Sequence, residues 1–184
     1  MKLLTIIPAK LDSKRLKRKN IKELNGKPLL FYSIEYAQNT KYPNDIIVSS
    51  ESMDVKNILQ KNILFHNRSK DLCGDVEVVD VYLEILKTID EEYDYVICLQ
   101  PDNPNRSNTL DECLDYMIEN NYDDLITVND TYKRSGSVRI FKYEHLKRGF
   151  ISKRMGCIRD GATDIHYQSD FENVKGKLLN GSIW

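Results

Sequence analysis

Six cations fall within one ten-residue stretch near the start of the chain: Lys10, Lys14, Arg15, Lys17, Arg18 and Lys19, offset only by Asp12. They follow directly on the apolar run "LLTIIPA", Leu3 to Ala9. Neither GxxxxGK[ST] nor GxGxxG is present, so no standard phosphate loop explains them. Side-chain charge and the N–H groups of a loop together make a cradle for a polyphosphate. The same charges could form a solvated face or touch nucleic acid weakly. No aromatic residues are interleaved to stack bases, which argues against RNA or single-stranded DNA as the partner. A second loop with potential chemistry is "LQPDNPNR", Leu99 to Arg106, whose Pro-Asp-Asn-Pro core is also good turn chemistry in its own right.

The elements that must carry these loops alternate. "LLTIIPA" reads as a strand buried on both faces. "PLLFYSIEYAQN" reads as a helix, with Pro28 as its first residue and Leu29, Leu30, Ser33, Ile34 and Ala37 on one face. "DIIVSS" and "ILFHN" are strands flanking a short helix at "MDVKNILQKN". Gly74 to Asp90 places Val78, Val81, Tyr82, Ile85 and Ile89 on one helical face. "DYVICLQPDNP" is a strand running into its loop. "NTLDECLDYMIENN" is a helix that Asn108 could cap, with Asp111 and Glu112 in its first turn. "DLITVN" and "SVRIF" are strands, the latter turning into a helix, and the tail is a short strand or loop before a last helix. The pattern predicts a single α/β domain over 1–184, with a mostly parallel sheet. In such sheets ligands sit outside the carboxyl ends of the strands, where both candidate loops lie.

Composition sets limits. Net charge is −1, so positive charge acts only locally and a general nucleic-acid coat is excluded. The four cysteines form no CxxC pair and read as buried free thiols in a reducing cytosol. No stretch approaches a membrane span, and the N-terminal apolar run is too short for a signal peptide. The expected location is the cytoplasm, with no membrane partner.

"IIPAKLDSKRLKRKNIKELNGKPLLFYSIEYA" resembles the N-terminal signature of the acylneuraminate (CMP-sialic acid) cytidylyltransferases. The matching elements are Ile7-Pro8-Ala9-Lys10, Ser13-Lys14, Lys19-Asn20 and Gly26-Lys27-Pro28. Lys10 stands where the family usually has arginine, which keeps the charge and loses the planar fork. The resemblance implies a Rossmann-like three-layer sandwich of the nucleotide-diphospho-sugar transferase type. It implies CMP transfer from CTP to an acidic sugar, with release of pyrophosphate, in cell-surface polysaccharide biosynthesis. Pro8, Ala9, Lys10, Ser13, Lys14 and Lys19 would bind the nucleotide, while Arg15, Lys17 and Arg18 would add only field strength. "RSKDLCGDVEVVDVYLEIL" is similar to a further family segment and places Arg68 and Asp75 at the border of the nucleotide pocket.

"LQPDNPNR" is similar to the sialic acid enzymes' LQPTSPLR, and its Asp102 resembles the metal-binding aspartate of the octulosonate enzymes. Gln100, Asn103 and Asn20 would face the acceptor. In the tail, Asp164 matches a metal-associated aspartate and His166 replaces a second one. The implied site is therefore Mg²⁺ or another divalent cation on Asp102 and Asp164, with His166 as a possible third ligand. Lys10, Lys19, Asp102 and Asp164 would carry catalysis; His66 and His145 read as structural. Family members carry a long dimerisation arm after the strand matching "DLITVN"; here only "DTYKRSG" stands in its place. An arm-exchanged dimer is therefore not expected, and the sequence leaves the oligomeric state open. A small phosphorylated or phosphonate acceptor, activated as a CDP- or CMP-conjugate, is the alternative substrate. Lys133, Arg134, Arg139 and Arg159 could meet an anionic acceptor or be ordinary surface charge.

Overall fold

A computed structural model describes residues 1–74, 76–149 and 152–179. Strand β1 (Leu3–Pro8) alternates its side chains between two cores: Leu3 and Ile7 face one, Leu4 and Ile6 the other. It pairs in parallel with β4 (Asn44–Ser50) on one side and β6 (Tyr95–Leu99) on the other. Beyond β4 lies parallel β5 (Leu64–Asn67). Beyond β6 come β8 (Arg134–Lys142), β7 (Asp124–Val128) and β9 (Met155–Arg159), giving the order β5-β4-β1-β6-β8-β7-β9. Only β8 runs against the rest, because β6 and β7 are both antiparallel to it and β9 is parallel to β7. The carboxyl ends of all the other strands therefore open on one edge.

Helices cover both faces, as the three-layer expectation requires. Helices α1 (Leu29–Gln38), α2 (Met53–Ile58) and α4 (Leu110–Glu119) pack on one face. Helices α3 (Val78–Lys87) and α5 (Tyr143–Lys147) pack on the other. The amphipathic helix α6 (Gln168–Leu179) buries Phe171 and Val174 with Leu24 and Leu29 in a third small core. Leu24 comes from a hairpin of β2 (Glu23–Leu24) and β3 (Lys27–Pro28). Its turn is Asn25-Gly26 with φ of 48° and 86°, the pair of positive angles that tight hairpins favour.

Several boundaries differ from expectation. Pro28 ends β3 in extended conformation and precedes α1 rather than opening it. Thr109, not Asn108, caps α4; its hydroxyl accepts from Glu112 N–H while the Glu112 carboxylate accepts from Thr109 N–H. The α3 helix begins at Val78, four residues later than expected. Strand β9 was not predicted, since "MGCIR" shows no clean alternation and gains its place by pairing with β7. The β7–β8 connection is five residues, 129–133, because β8 begins at Arg134. Asn129 Oδ1 closes it by accepting from Thr131 N, Thr131 Oγ1 and Lys133 N. Two cysteines are not buried: Cys73 is half-buried and Cys157 exposed, while Cys98 and Cys113 are core residues and all four are free.

Candidate active site

Four loops leave the carboxyl edge and meet. The first follows β1. Its backbone is tied to β4 by Ala9 N–H donating to Ser49 O (2.8 Å) and by Leu11 N–H and Asp12 N–H donating to Glu51 Oε1 (2.8 and 3.3 Å). Arg18 takes a left-handed conformation (φ 56°), which turns the chain into a short 3-10 segment, Lys19–Ile21, and directs Lys19 and Asn20 inward. Asn20 Nδ2 holds the Lys10 carbonyl at 2.8 Å. The second loop follows β5 and carries Arg68, the third follows β6 and carries Gln100 and Asp102, and the fourth follows β9 and carries Asp164 and His166.

Between them lies a cleft with two compartments. The first, about 170 Å³, is lined by Pro8, Lys10, Ser13, Lys19, Asn20, Arg68, Gln100 and Asp102, together with the apolar Leu72, Val76, Val78 and Val81. The second, about 270 Å³, adds Lys14, Arg15 and His166 and shares Lys10, Ser13, Lys19 and Asp102. Thus Arg15 does more than add field strength: it lines the cleft, with its guanidinium 5.9 Å from the Tyr167 ring. Arg18 instead pairs with Asp54 at 2.9 Å. Arg68 is buried, with Nε and Nη2 donating to Ser49 Oγ (3.2 Å) and Ser49 O (2.9 Å).

Lys19, only 8% exposed, is held differently from a free phosphate ligand. Its ammonium donates to Asp102 Oδ2 and to the Ile165 carbonyl, each at 2.6 Å. Ile165 N–H returns a bond to the Asp102 carbonyl at 3.0 Å, so the third and fourth loops are stitched together. Asp102, Asp164 and His166 bring one ligand atom each within 4.8 Å of one another. His166 Nε2 lies 2.9 Å from Asp164 Oδ2. Burial, reinforced by the charge of Asp102, pushes the Asp164 carboxyl up to about 6. Two carboxylates and an imidazole fit a divalent cation, and the Lys19 ammonium already occupies a cation's position against Asp102.

Three expected site residues line neither compartment: Ala9, Asn103 and Asp164, the last joined to the site by its contact with His166 and its place near Asp102. Ala9 is wholly buried in the core beside α1. Asn103 is 1% exposed and lines neither compartment; its Oδ1 and Nδ2 have no hydrogen-bond partner among the described residues. Both burials follow from position: Ala9 is still in line with the strand, and the turn after Asp102 carries Asn103 back beneath the sheet edge. Asp75 lies outside the described residues. Arg139 is paired with Asp124 (2.8 Å), whereas the exposed Arg159 bonds the Tyr132 hydroxyl and stacks on its ring. His66 Nδ1 meets Ser49 Oγ at 3.0 Å, and burial followed by the Arg68 charge lowers its pKa, consistent with a structural part.

Sequence reasoning missed the groups that hold the loops. Arg106 is fully buried, and its fork donates to Gln100 O (2.7 Å) and twice to Ser137 O (3.1 Å) while stacking 4.9 Å from Tyr36. Asp160 accepts from Ser107 N (2.8 Å), Ser107 Oγ (2.9 Å) and the Ser137 hydroxyl, joining the third and fourth loops again. Glu51 organises the first loop. An arginine two residues beyond the Pro-Asp-Asn-Pro turn is the local signal that could have marked Arg106; nothing local marks Asp160 or Glu51. A Cβ at Gly136 would make ordinary contact with Gln100 Cγ at 3.6 Å, and it is the positive φ of 72° that favours glycine there.

Comparison with known proteins fits this geometry. The sequence profile of the family described as cytidylyltransferase matches residues 4–151. Pseudaminic acid cytidylyltransferase of Campylobacter jejuni (strain 81-176) is 35% identical over 127 residues, 65% of this chain and 55% of the relative. N-acylneuraminate cytidylyltransferase of Streptococcus agalactiae (strain 2603 V/R) is 29% identical over 172 residues, 91% of this chain and 41% of the relative. The chain spans about half the length of the curated relatives it matches. The fold is similar to that of CMP:2-keto-3-deoxy-manno-octonic acid synthetase complexed with CTP, with a TM-score of 0.75 at 14% identity, covering 98% of this chain and 99% of that one. Among the described residues no helix is long and apolar enough to cross a membrane. With its basic loop after β1 and its matched profile, the chain belongs to the cytidylyltransferase family.

Proposed function

We propose that the chain transfers CMP from CTP to an acidic sugar, a nonulosonic or related sugar acid, and releases pyrophosphate. The observation that carries this reading is the facing of Lys10, Ser13, Lys14 and Lys19 with Asp102 and His166 across one cleft at the carboxyl edge, with Asp164 beside the last two. The names of the sugar-acid relatives support the acceptor class. The first compartment, with Arg68 and apolar residues in its lining, suits the nucleoside; the second, lined by cations, suits the triphosphate. An acceptor hydroxyl oxygen attacks the α-phosphorus, the bond to the bridging oxygen of the β-phosphate breaks, and pyrophosphate leaves. Lys10, Lys14 and Arg15 neutralise the charge that builds on the leaving group, and the stitched loops hold their donors in place beforehand. Lys19 exchanges part of its Asp102 bond for phosphate oxygen. Asp102, Asp164 and His166 would hold a divalent cation, which supplies Lewis-acid stabilisation of phosphate oxygens. Gln100, pinned by Arg106 and packed on Gly136, faces the acceptor side. A CTP-consuming reaction of this kind belongs in the cytoplasm.

The five-residue β7–β8 hairpin favours a second acceptor class. A connection this short is not the dimerisation arm of the family pattern, which leaves room for a small phosphorylated or phosphonate molecule as the acceptor. The test is pyrophosphate release across the four NTPs with a panel of nonulosonic acids, octulosonate and phosphonate or phosphorylated acceptors. Release with CTP and a sugar acid is expected. Release only with a phosphonate or phosphorylated acceptor would transfer the assignment to the second class, and no release from CTP with any acceptor would overturn both.

A further inference from the structure

One of the three groups in the cluster of Asp102, Asp164 and His166 is a nitrogen ligand. Asp102 and Asp164 offer carboxylate oxygens, and His166 offers Nε2 within the same 4.8 Å cluster. The ring's place is set by its backbone: His166 N–H and Tyr167 N–H both donate to Asp170 Oδ2, at 2.9 and 2.8 Å, which caps the approach to α6. His166 is 39% exposed on its side chain, so the ring can turn between Asp164 and an ion without disturbing the core. A cation is already drawn to the cluster, since Asp102 and the Ile165 carbonyl together hold the Lys19 ammonium.

An all-oxygen site suits Mg²⁺, which keeps most of its waters and demands regular octahedral geometry. Imidazole nitrogen binds Mg²⁺ poorly and first-row transition ions well. We infer that this cluster takes a nitrogen-accepting divalent transition ion ahead of Mg²⁺, with His166 as the ligand that makes the choice; Mn²⁺, the weakest nitrogen binder of that series, is its strictest probe. The inference rests on the cytidylyltransferase reading only in expecting a phosphate beside the ion. Lys19 sharpens it: the ammonium leaves Asp102 when phosphate oxygens offer another partner, so the ion and the phosphate load together.

The ligation can be read without turnover. Mn²⁺ is added to the protein with inorganic pyrophosphate, which supplies phosphate oxygen and no nitrogen, and electron spin-echo spectra are recorded for unlabelled and ¹⁵N-histidine protein. A ¹⁴N modulation that becomes ¹⁵N on labelling, and is absent in His166→Asp, is the expected result. Competition between Mn²⁺ and Mg²⁺ on the same samples should show the preference for Mn²⁺ falling about tenfold or more in His166→Asp. His166→Gln, which keeps bulk and polarity, should also lose the nitrogen coupling. No histidine coupling in the parent protein, or an unchanged Mn²⁺ to Mg²⁺ ratio in both variants, would overturn the inference. Failure of the transferase reading shows separately, as no pyrophosphate release with any nucleotide and acceptor while the coupling persists.

Discussion

Replacing Asp102 with alanine strands the Lys19 ammonium. The two side chains keep only 11% and 17% of their exposure, so neither is bathed in solvent. Breaking a fully buried pair costs about 3–5 kcal/mol, because the remaining charge is left uncompensated. Lys19 still has the Ile165 carbonyl, and the cleft admits water beside it, so the lost bond is better priced as a hydrogen bond to a charged group, about 1.5–3 kcal/mol. We expect Asp102→Ala to cost about 2 kcal/mol, which for a chain of this length lowers Tm by about 4–8 °C. Lys19→Met should cost somewhat less, since Asp102 borders the open cleft. The double variant should then lose less than the two single losses together, by about 1 kcal/mol or more. Urea unfolding followed by circular dichroism, without nucleotide or divalent ions, measures all three. If Asp102→Ala lies within about 0.5 kcal/mol of the parent, the range of an ordinary surface change, and the two losses add, the stitch between the third and fourth loops does not exist in solution. The roles assigned to Lys19 would then fail with it.

Two further outcomes are expected. Burial holds the Asp164 carboxyl up at about 6, above the ordinary aspartate value near 3.9, so the folded chain grips this proton more tightly than the unfolded one. The favourable contribution is complete below pH of about 4 and is lost as pH rises through about 6; Asp164→Asn should therefore raise Tm at pH 7.5 and leave it unchanged at pH 4. The gain should be small because the side chain is 41% exposed, and an equal shift at both pH values would sink the reasoning. Gly156→Ala should destabilise by about 1–3 kcal/mol, since a Cβ there would lie 2.4 and 2.6 Å from Tyr122 ring carbons and 3.0 Å from Leu125 Cδ1. Tyr122→Leu should remove much of that cost in chemical denaturation, and a Gly156→Ala protein as stable as the parent would show that β9 does not pack as described.

Much of the fold was legible because its signals are local. The apolar run of β1, the helical faces of α1 and α3, and the first-turn acids of α4 each follow from residues a few positions apart. The α1 face in particular is buried as expected: Leu29, Leu30, Ser33, Ile34 and Ala37 are all in the core. Strand β9 was not legible, because "MGCIR" has no pattern of its own and is a strand only through β7. The cleft residues Lys10, Ser13, Lys14, Lys19, Asn20, Arg68, Gln100, Asp102 and His166 were legible as loop residues at the carboxyl edge and through the family signature. Asn103 and Ala9 are buried because one residue's shift along a strand end or turn carries a side chain from the cleft to the interior.

The sequence alone determined the layered α/β plan, the basic loop after the first strand, and the family, since periodicity and an ordered motif are properties of neighbouring residues. Only the tertiary structure decided what those residues touch. It joined Lys19 to Asp102 across 83 positions of chain and Asp160 to Ser107 across 53. It buried Arg106 as the pin of the Gln100 turn, and it brought His166 to the two carboxylates. The physical reason is that sheet order sets which loops meet. The crossovers that place β6 beside β1, and β9 at the far edge with the same direction, bring distant segments to one edge, and no spacing within a loop encodes that meeting.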